Sequence, residues 1–406
     1  MSRRTSFGYS TYGSRSYHAG GYHRKRNRHG KMRILILTPV ICLTVAGAAF
    51  SLWYFVLRNN RQPYQSTESS VVSEISSPVS EPSAEVSAQS RPESSVQVSS
   101  PRPDIQGYQD GNVFMYDRCG YELFYGTDES AAAYAAAVSA VKKGLGKDVN
   151  VYNMVVPNHA AFGLPEKYLR NMNDEKANIR TIYHSYSEDI IPIDVFDAEE
   201  THKEEYTYFH TDHNWTALGA YYAYQEFCKA AKTNAIDLST LTKGSIPSFK
   251  GSLFVATQTD DNAKGNKELL NNPDTVIYYH MPCIENCTLL ENGKQSEQDV
   301  PLIASFAEGS NAYSAFIWGN NPYMRVKTTQ KTGKKLCIIK DSYGCAFAPF
   351  VTANFDEVFI VDPSYYEGNV LDYLKKNKYT DVLVINSIMT ANTAFRVSDI
   401  LSILPQ

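Results

Sequence analysis

At 406 residues, 43% of them hydrophobic, the chain is long enough for about two or three domains of ordinary size. Its charge is unevenly spread: residues 1–33 hold nine Lys/Arg and no acid, while the rest carries 30 basic against 43 acidic residues, a net −13. So acidic a body excludes a nucleic-acid-binding domain, which needs a basic face for phosphates, and the composition excludes a collagen, a coiled coil or a disulfide-dense miniprotein.

Residues 1–33 are rich in Tyr, Gly, Ser and Arg without apolar periodicity, so they are expected to stay disordered. Between Arg33 and Arg58 lie 24 uncharged residues, enough for a helix that crosses the hydrocarbon core. Pro39 falls in its first turns, where the missing N–H costs least. Trp53 and Tyr54 suit the far interface. A cleaved signal peptide would have an apolar region of only about 7–15 residues before a small-residue cleavage site. Here the bulky run Leu52-Trp53-Tyr54-Phe55 stands in that place. The expectation is therefore an uncleaved transmembrane helix over 34–57, with the basic segment 1–33 cytoplasmic and the main domain extracellular.

A linker follows over 58–105. Residues 66–100 contain 14 serines and no aromatic residue, too little apolar surface to offset the entropy of ordering. The folded body should occupy 106–406.

Within the body, strand and helix signals alternate. Asp128 to Lys143 predicts a helix, Asn150 to Val156 a strand, and Asp189 to Val195 a shorter apolar run. Thr216 to Lys232 predicts a helix capped by Thr216. Near the end come a strand over Lys335–Lys340, a helix over Ala346–Asn354 and a strand over Glu357–Val361. A helix over Asn369–Lys378 and a strand over Asp381–Ile385 follow. These strands are unbroken apolar runs, as in a parallel sheet covered on both faces. Residues 233–333, rich in Gly, Asn and Pro, read as an irregular insertion.

Sites in such sheets form beyond the carboxyl ends of the strands. Four ends carry polar residues: Pro157-Asn158-His159, Asp341-Ser342-Tyr343-Gly344, Asp362-Pro363 and Asn386-Ser387. Ser342, between a strand and a helix, could present a nucleophilic hydroxyl, with following backbone N–H groups available to an oxyanion. The competing reading is a helix cap, since Ser and Asp are common there. A serine nucleophile needs a base and an orienting partner. Phe209-His210-Thr211-Asp212-His213-Asn214-Trp215 supplies two histidines and a carboxylate. A metal site on His210, Asp212 and His213 is the weaker alternative, because no further cluster of ligands completes it. No cofactor is expected. Cys345 could replace Ser342 as nucleophile, but reads better as a structural thiol. Cys283 and Cys287 lie close enough for a small disulfide.

Tyr208-Phe209-His210-Thr211-Asp212-His213-Asn214-Trp215-Thr216-Ala217-Leu218-Gly219 resembles the signature of the DHHW family, bacterial surface proteins similar to alginate O-acetyltransferases of the SGNH hydrolase-like superfamily. The stretches Phe249–Leu253, Phe316–Pro322, Ile339–Gly344 and Val361–Tyr366 fall in the family's order, with Ser364 where that pattern usually has Arg. The resemblance implies a three-layer α/β sandwich with a mostly parallel sheet. It also implies acetyl transfer to a cell-surface polysaccharide through a serine acyl-enzyme, with a membrane-embedded acyltransferase as the partner that supplies acetyl. On that basis Ser342 is the expected nucleophile; of the loop's histidines, His213 is taken as the base, with Asp212 as its orienting group. Backbone N–H groups at Ser342 and Gly344 would hold the oxyanion, with Asn386 a further candidate. The related acetyltransferases pair Asp-x-His, which would put the base at position 214, and Asn stands there. The base is then His213 or His210, or the site is inactive. An acetyl esterase and a non-catalytic glycan-binding protein remain the alternative functions.

Overall fold

The structure, a computed structural model, describes residues 105–405. The expected cytoplasmic segment 1–33, the membrane helix 34–57 and the linker up to residue 104 lie outside the described residues. Among the described residues no helix is long and apolar enough to cross a membrane.

The strands are β1 (Tyr108–Asp110), β2 (Val113–Tyr116), β3 (Cys119–Tyr121), β4 (Asn150–Val156), β5 (Ile191–Ile193), β6 (Lys243–Phe249) and β7 (Asp274–Tyr279), then β8 (Ile284–Leu290), β9 (Gln298–Asp299), β10 (Tyr323–Thr328), β11 (Lys335–Lys340), β12 (Glu357–Val361) and β13 (Asp381–Ser387). The α-helices of seven or more residues are α1 (Asp128–Leu145), α2 (Glu175–His184), α3 (Ala217–Ala230), α4 (Tyr343–Val351), α5 (Val370–Lys376) and α6 (Ala394–Ser402).

One eight-stranded sheet organises the body, in the order β5-β4-β13-β11-β12-β10-β8-β9. From β5 to β12 the strands run parallel. The last three add antiparallel. A three-stranded meander β1-β2-β3 and the pair β6-β7 stand apart from this sheet. The stretch 233–333, expected to be an irregular insertion, thus supplies β8, β9 and β10 of the main sheet. Its polar-apolar alternation in β10 (Tyr323-Met324-Arg325-Val326-Lys327-Thr328) is that of a strand with one covered face.

The central strands are buried on both sides, and their residues divide with period two. Leu336 and Ile338 of β11 and Leu383 and Ile385 of β13 join the cluster under α3 and α4. Cys337, Ile339, Val382 and Val384 join the cluster under α1, α2, α5 and α6. Alanines 131, 135 and 137 let α1 lie close to the sheet, and Thr127 and Ser130 cap it reciprocally. Thr216 caps α3 as expected, its Oγ1 accepting from Leu218 and Gly219 N–H. Because β4, β13, β11 and β12 are parallel, their carboxyl ends share one edge. Ser342 lies on that edge.

Candidate active site

Strand β11 ends at Lys340, and Asp341 turns the chain into α4. The Asp341 carboxylate is buried and accepts the Tyr343 N–H at 3.0 Å and the Ser387 N–H at 2.8 Å. Asp341 therefore performs the capping, and the Ser342 side chain caps nothing. The helix-cap reading of Ser342 fails on this point. Its backbone is ordinary helical (φ −59°, ψ −28°), and its hydroxyl is partly exposed at the sheet edge.

The helix starts three residues before the expected Ala346, because Tyr343 and Gly344 already have helical geometry. A Cβ on Gly344 would lie 2.5 Å from Lys340 Cβ, so only glycine lets α4 begin this close to β11. The Gly344 N–H is committed to the Asp341 carbonyl at 3.1 Å. That commitment removes Gly344 from the expected oxyanion site and gives it a packing role. The Ser342 N–H, by contrast, has no partner among the described residues.

Asn386 is also corrected. Side chains alternate along β13, and Ile385 faces α4, so Asn386 points to the opposite face. There its Oδ1 accepts from Tyr134 Oη at 2.9 Å, within a buried network that includes Asn153 and Tyr186. Its Nδ2 has no partner among the described residues.

The segment 208–215 folds into a tight loop closed by a bridge between Tyr208 and Trp215. A residue far away in the sequence holds it. Buried Asp274, at the start of β7, accepts the His210 N–H (2.9 Å), the Thr211 N–H (2.7 Å) and the hydroxyls of Thr211 and Tyr206 (both 2.5 Å). Charge-assisted bonds of this kind fix a loop more firmly than neutral ones. Trp215, fully buried, donates its indole N–H to the Tyr343 carbonyl at 2.9 Å. The Tyr343 hydroxyl donates to the His213 carbonyl. These two bonds dock the loop onto the start of α4.

The docking brings Ser342 against two loop residues. Its Oγ donates to Asn214 Oδ1 at 2.8 Å and lies 3.4 Å from His213 Nε2. Asn214 Nδ2 donates to Asp212 Oδ1 at 2.7 Å. Asp212, Asn214 and Ser342 are thus linked in series, with an amide in the middle position, which the resemblance assigned to a histidine. An amide carbonyl has no useful basicity, so Asn214 can hold the hydroxyl but cannot take its proton.

Asp212 does not contact His213 as expected. Its Oδ1 also accepts the Asn214 N–H at 2.9 Å, and its Oδ2 accepts the Ser252 N–H at 2.8 Å. Gly251 makes that approach feasible, since a side chain there would collide with the Asp212 carboxylate. The partner of His213 is Ser252, whose Oγ lies 2.5 Å from His213 Nδ1 and accepts the His213 N–H at 3.3 Å. Ser252 stands in the family-like stretch Phe249–Leu253, but a separation of 39 residues gives no local signal of this contact.

His210 points elsewhere. Its Nδ1 lies 3.3 Å from Asn272 Nδ2, and its ring lines a separate cavity of about 340 Å³ with Cys119, His159, Phe162 and Tyr208. No group of three or more metal-ligating side chains occurs among the described residues. Cys345 is buried, and that burial pushes its thiol up to about 11, so it stays protonated and unreactive at neutral pH. Cys283 and Cys287 are both free and buried, the former donating to the Thr352 carbonyl at 3.4 Å, so the expected loop disulfide is absent. At Ser364, where the resemblance would have Arg, the hydroxyl bonds Asp399 at 2.6 Å. Arg396 places a guanidinium beside Asp362, at 3.7 Å.

A search of curated proteins finds no match. Among solved structures, the chain is similar to a DHHW family protein from Eubacterium siraeum: 31% identity, TM-score 0.67, 75% of this chain and 100% of that one. It also resembles Bacillus cereus PatB1 with a sulfonyl adduct: 16% identity, TM-score 0.56, 70% of this chain and 96% of the other. A second PatB1 structure matches at 17% identity and TM-score 0.55, over 72% and 99% of the two chains. At such identities PatB1 speaks for the fold alone. The DHHW protein family itself matches residues 76–361. Given that span, and a 31% identical relative covered over its whole length, the chain belongs to the DHHW family.

Proposed function

We propose that this protein is a membrane-anchored O-acetyltransferase of the cell surface, which carries acetyl as an ester on Ser342 and passes it to a hydroxyl of a polysaccharide. The observation that carries this reading is the uncapped Ser342 hydroxyl at a strand-to-helix turn, 3.4 Å from an imidazole nitrogen. Ser342 Oγ attacks the donor's carbonyl while His213 Nε2 takes its proton. The tetrahedral oxyanion is met by the Ser342 N–H. Collapse expels the donor's alcohol, which recovers the proton from His213. An acceptor hydroxyl then gives its proton to His213, attacks the acetyl carbon and restores Ser342.

Ser252 fits this cycle as the partner that fixes the imidazole. Its Oγ already accepts the His213 backbone N–H, and accepting Nδ1–H as well leaves the Nε2 lone pair toward Ser342. Asp212 acts at one remove, on the Ser252 backbone and on Asn214.

In this reading the helix 34–57 tethers an outward-facing SGNH-like body, and the serine-rich linker holds that body off the membrane. A membrane-embedded acyltransferase would supply acetyl. Water in place of the acceptor makes the same chain an esterase. A glycan-binding protein that has lost its base is the second reading, favoured by the shorter contact of Ser342 to Asn214 than to His213. Acetyl release from a chromogenic ester, with and without oligosaccharide, separates the three. Acceleration by the acceptor with ester formed on sugar marks the transferase. Release indifferent to the acceptor marks the esterase, and none at all the binding protein.

A further inference from the structure

The stretch Phe316–Pro322 belongs to none of the chemistry above, yet it is built at a cost. Ile317, Trp318 and Gly319 are three consecutive residues at positive φ, +48°, +64° and +78°. Glycine enters this region freely, but isoleucine and tryptophan do so only under strain. Backbone strain persists where surrounding bonds over-determine it, and it concentrates at functional sites.

Those bonds tie the turn to both sides of the nucleophile. Lys340, two residues before Ser342, donates to Asn320 Oδ1 at 2.7 Å and to the Gly319 carbonyl at 3.5 Å. Cys345, three residues after Ser342, donates to the same carbonyl at 3.4 Å. Earlier in the loop, Tyr313 Oη donates to the Ser342 carbonyl itself at 2.9 Å. What the turn projects is aromatic. Trp318 is partly exposed, and its indole is fixed by a bond to the Pro301 carbonyl at 2.9 Å. Phe306 packs edge-on against it, with ring centroids 5.1 Å apart, and is 66% exposed. A ring that exposed gains nothing from the core, and its neighbour is held rigid.

We propose that Phe306 and Trp318 form a platform for one sugar ring of the polysaccharide acceptor. The two ring planes meet at 70°, so the apolar C–H face of a pyranose lies flat on the exposed Phe306 ring while its edge meets Trp318. A neutral aromatic surface, on the loop bonded to Lys340, Ser342 and Cys345, recognises the sugar without demanding charge. The proposal rests on the acyl-transfer reading for the identity of the ligand, but its test needs no turnover.

The full chain carrying Ser342→Ala is titrated, in detergent, with cellohexaose, chitohexaose and a mannuronate hexamer, following tryptophan emission. The chain has three tryptophans, and Trp215 is fully buried. The expected result is a saturable emission change with at least one of the three sugars, absent in Trp318→Phe. Phe306→Ala and Phe306→Leu should each weaken binding about fivefold or more, and Phe306→Tyr should restore it. The leucine variant keeps apolar bulk without a flat ring, so it separates stacking from general burial and guards against a misfolded alanine variant. No emission change with any of the three sugars, or wild-type affinity in Phe306→Leu, overturns the platform. A working platform in a chain whose unmutated form transfers no acetyl leaves this inference standing and removes the transferase reading. Transfer by the unmutated chain without the platform effects does the reverse.

Discussion

Ser252→Ala deletes the hydroxyl that faces His213 Nδ1 at 2.5 Å and leaves the backbone N–H that bonds Asp212. A hydrogen bond to a neutral partner contributes about 0.5–1.5 kcal/mol, and one to a charged partner about 1.5–3 kcal/mol. In the proposed cycle the base accepts a proton from Ser342, so His213 would pass from imidazole to imidazolium during the attack. The bond to Ser252 therefore strengthens on the way to the transition state, by about 1–2 kcal/mol. That difference corresponds to a fall in kcat of roughly 5- to 30-fold, with KM little changed because the ground state loses less. Folding should suffer by less than about 1 kcal/mol, since Ser252 is partly exposed and alanine is welcome at the start of the short helix Ser252–Ala256. Steady-state hydrolysis of a chromogenic acetyl ester reads the effect, and Ser252→Thr should recover most of it. A Ser252→Ala enzyme within about twofold of wild type in kcat would refute the role of Ser252, and with it the tautomer argument for His213.

Asn214→His would place an imidazole between Asp212 and Ser342, whose links to Asn214 are 2.7 and 2.8 Å. Ester hydrolysis should then rise or hold, and should survive a second change, His213→Ala, that silences the natural chain. Two buried groups set opposite pH limbs of stability, read by thermal melts. Glu175, pushed up to about 8 from its ordinary 4.5 by burial, holds its proton more tightly folded than unfolded. Stability should fall as pH rises through that interval, and Glu175→Gln should flatten the fall. His159, driven down to about 3 from 6.5, first by burial and then by His210, binds its proton more tightly when unfolded. Stability should therefore also fall as pH drops below about 6.5.

Strands β4, β11 and β12 were legible to the residue, because a strand covered on both faces is mostly apolar, Asn153 of β4 being a buried exception, and its flanking loops are polar. Strands β8 and β10 escaped notice for the complementary reason. They alternate Thr, Asn, Arg and Lys with apolar residues, and Gly and Asn surround them. At the site, Ser342 and His213 stood out as residue types in a recognisable string. Their connections did not. Asp274 steadies the loop from 63 residues away and Ser252 meets His213 from 39, and such pairings arise only when the chain is folded. The expected donors Gly344 and Asn386 were misassigned because sequence position fixes neither which carbonyl an N–H has already met nor which face of a strand a side chain takes.

The acyl-enzyme itself is the most direct test. Wild-type chain mixed with a chromogenic acetyl ester, quenched early and digested, should yield the peptide containing Ser342 with one acetyl group attached. Ser342→Ala should carry none, and His213→Ala should accumulate it far more slowly. Acetyl found on another residue, or an unmodified Ser342 while the ester is being consumed, would contradict the account.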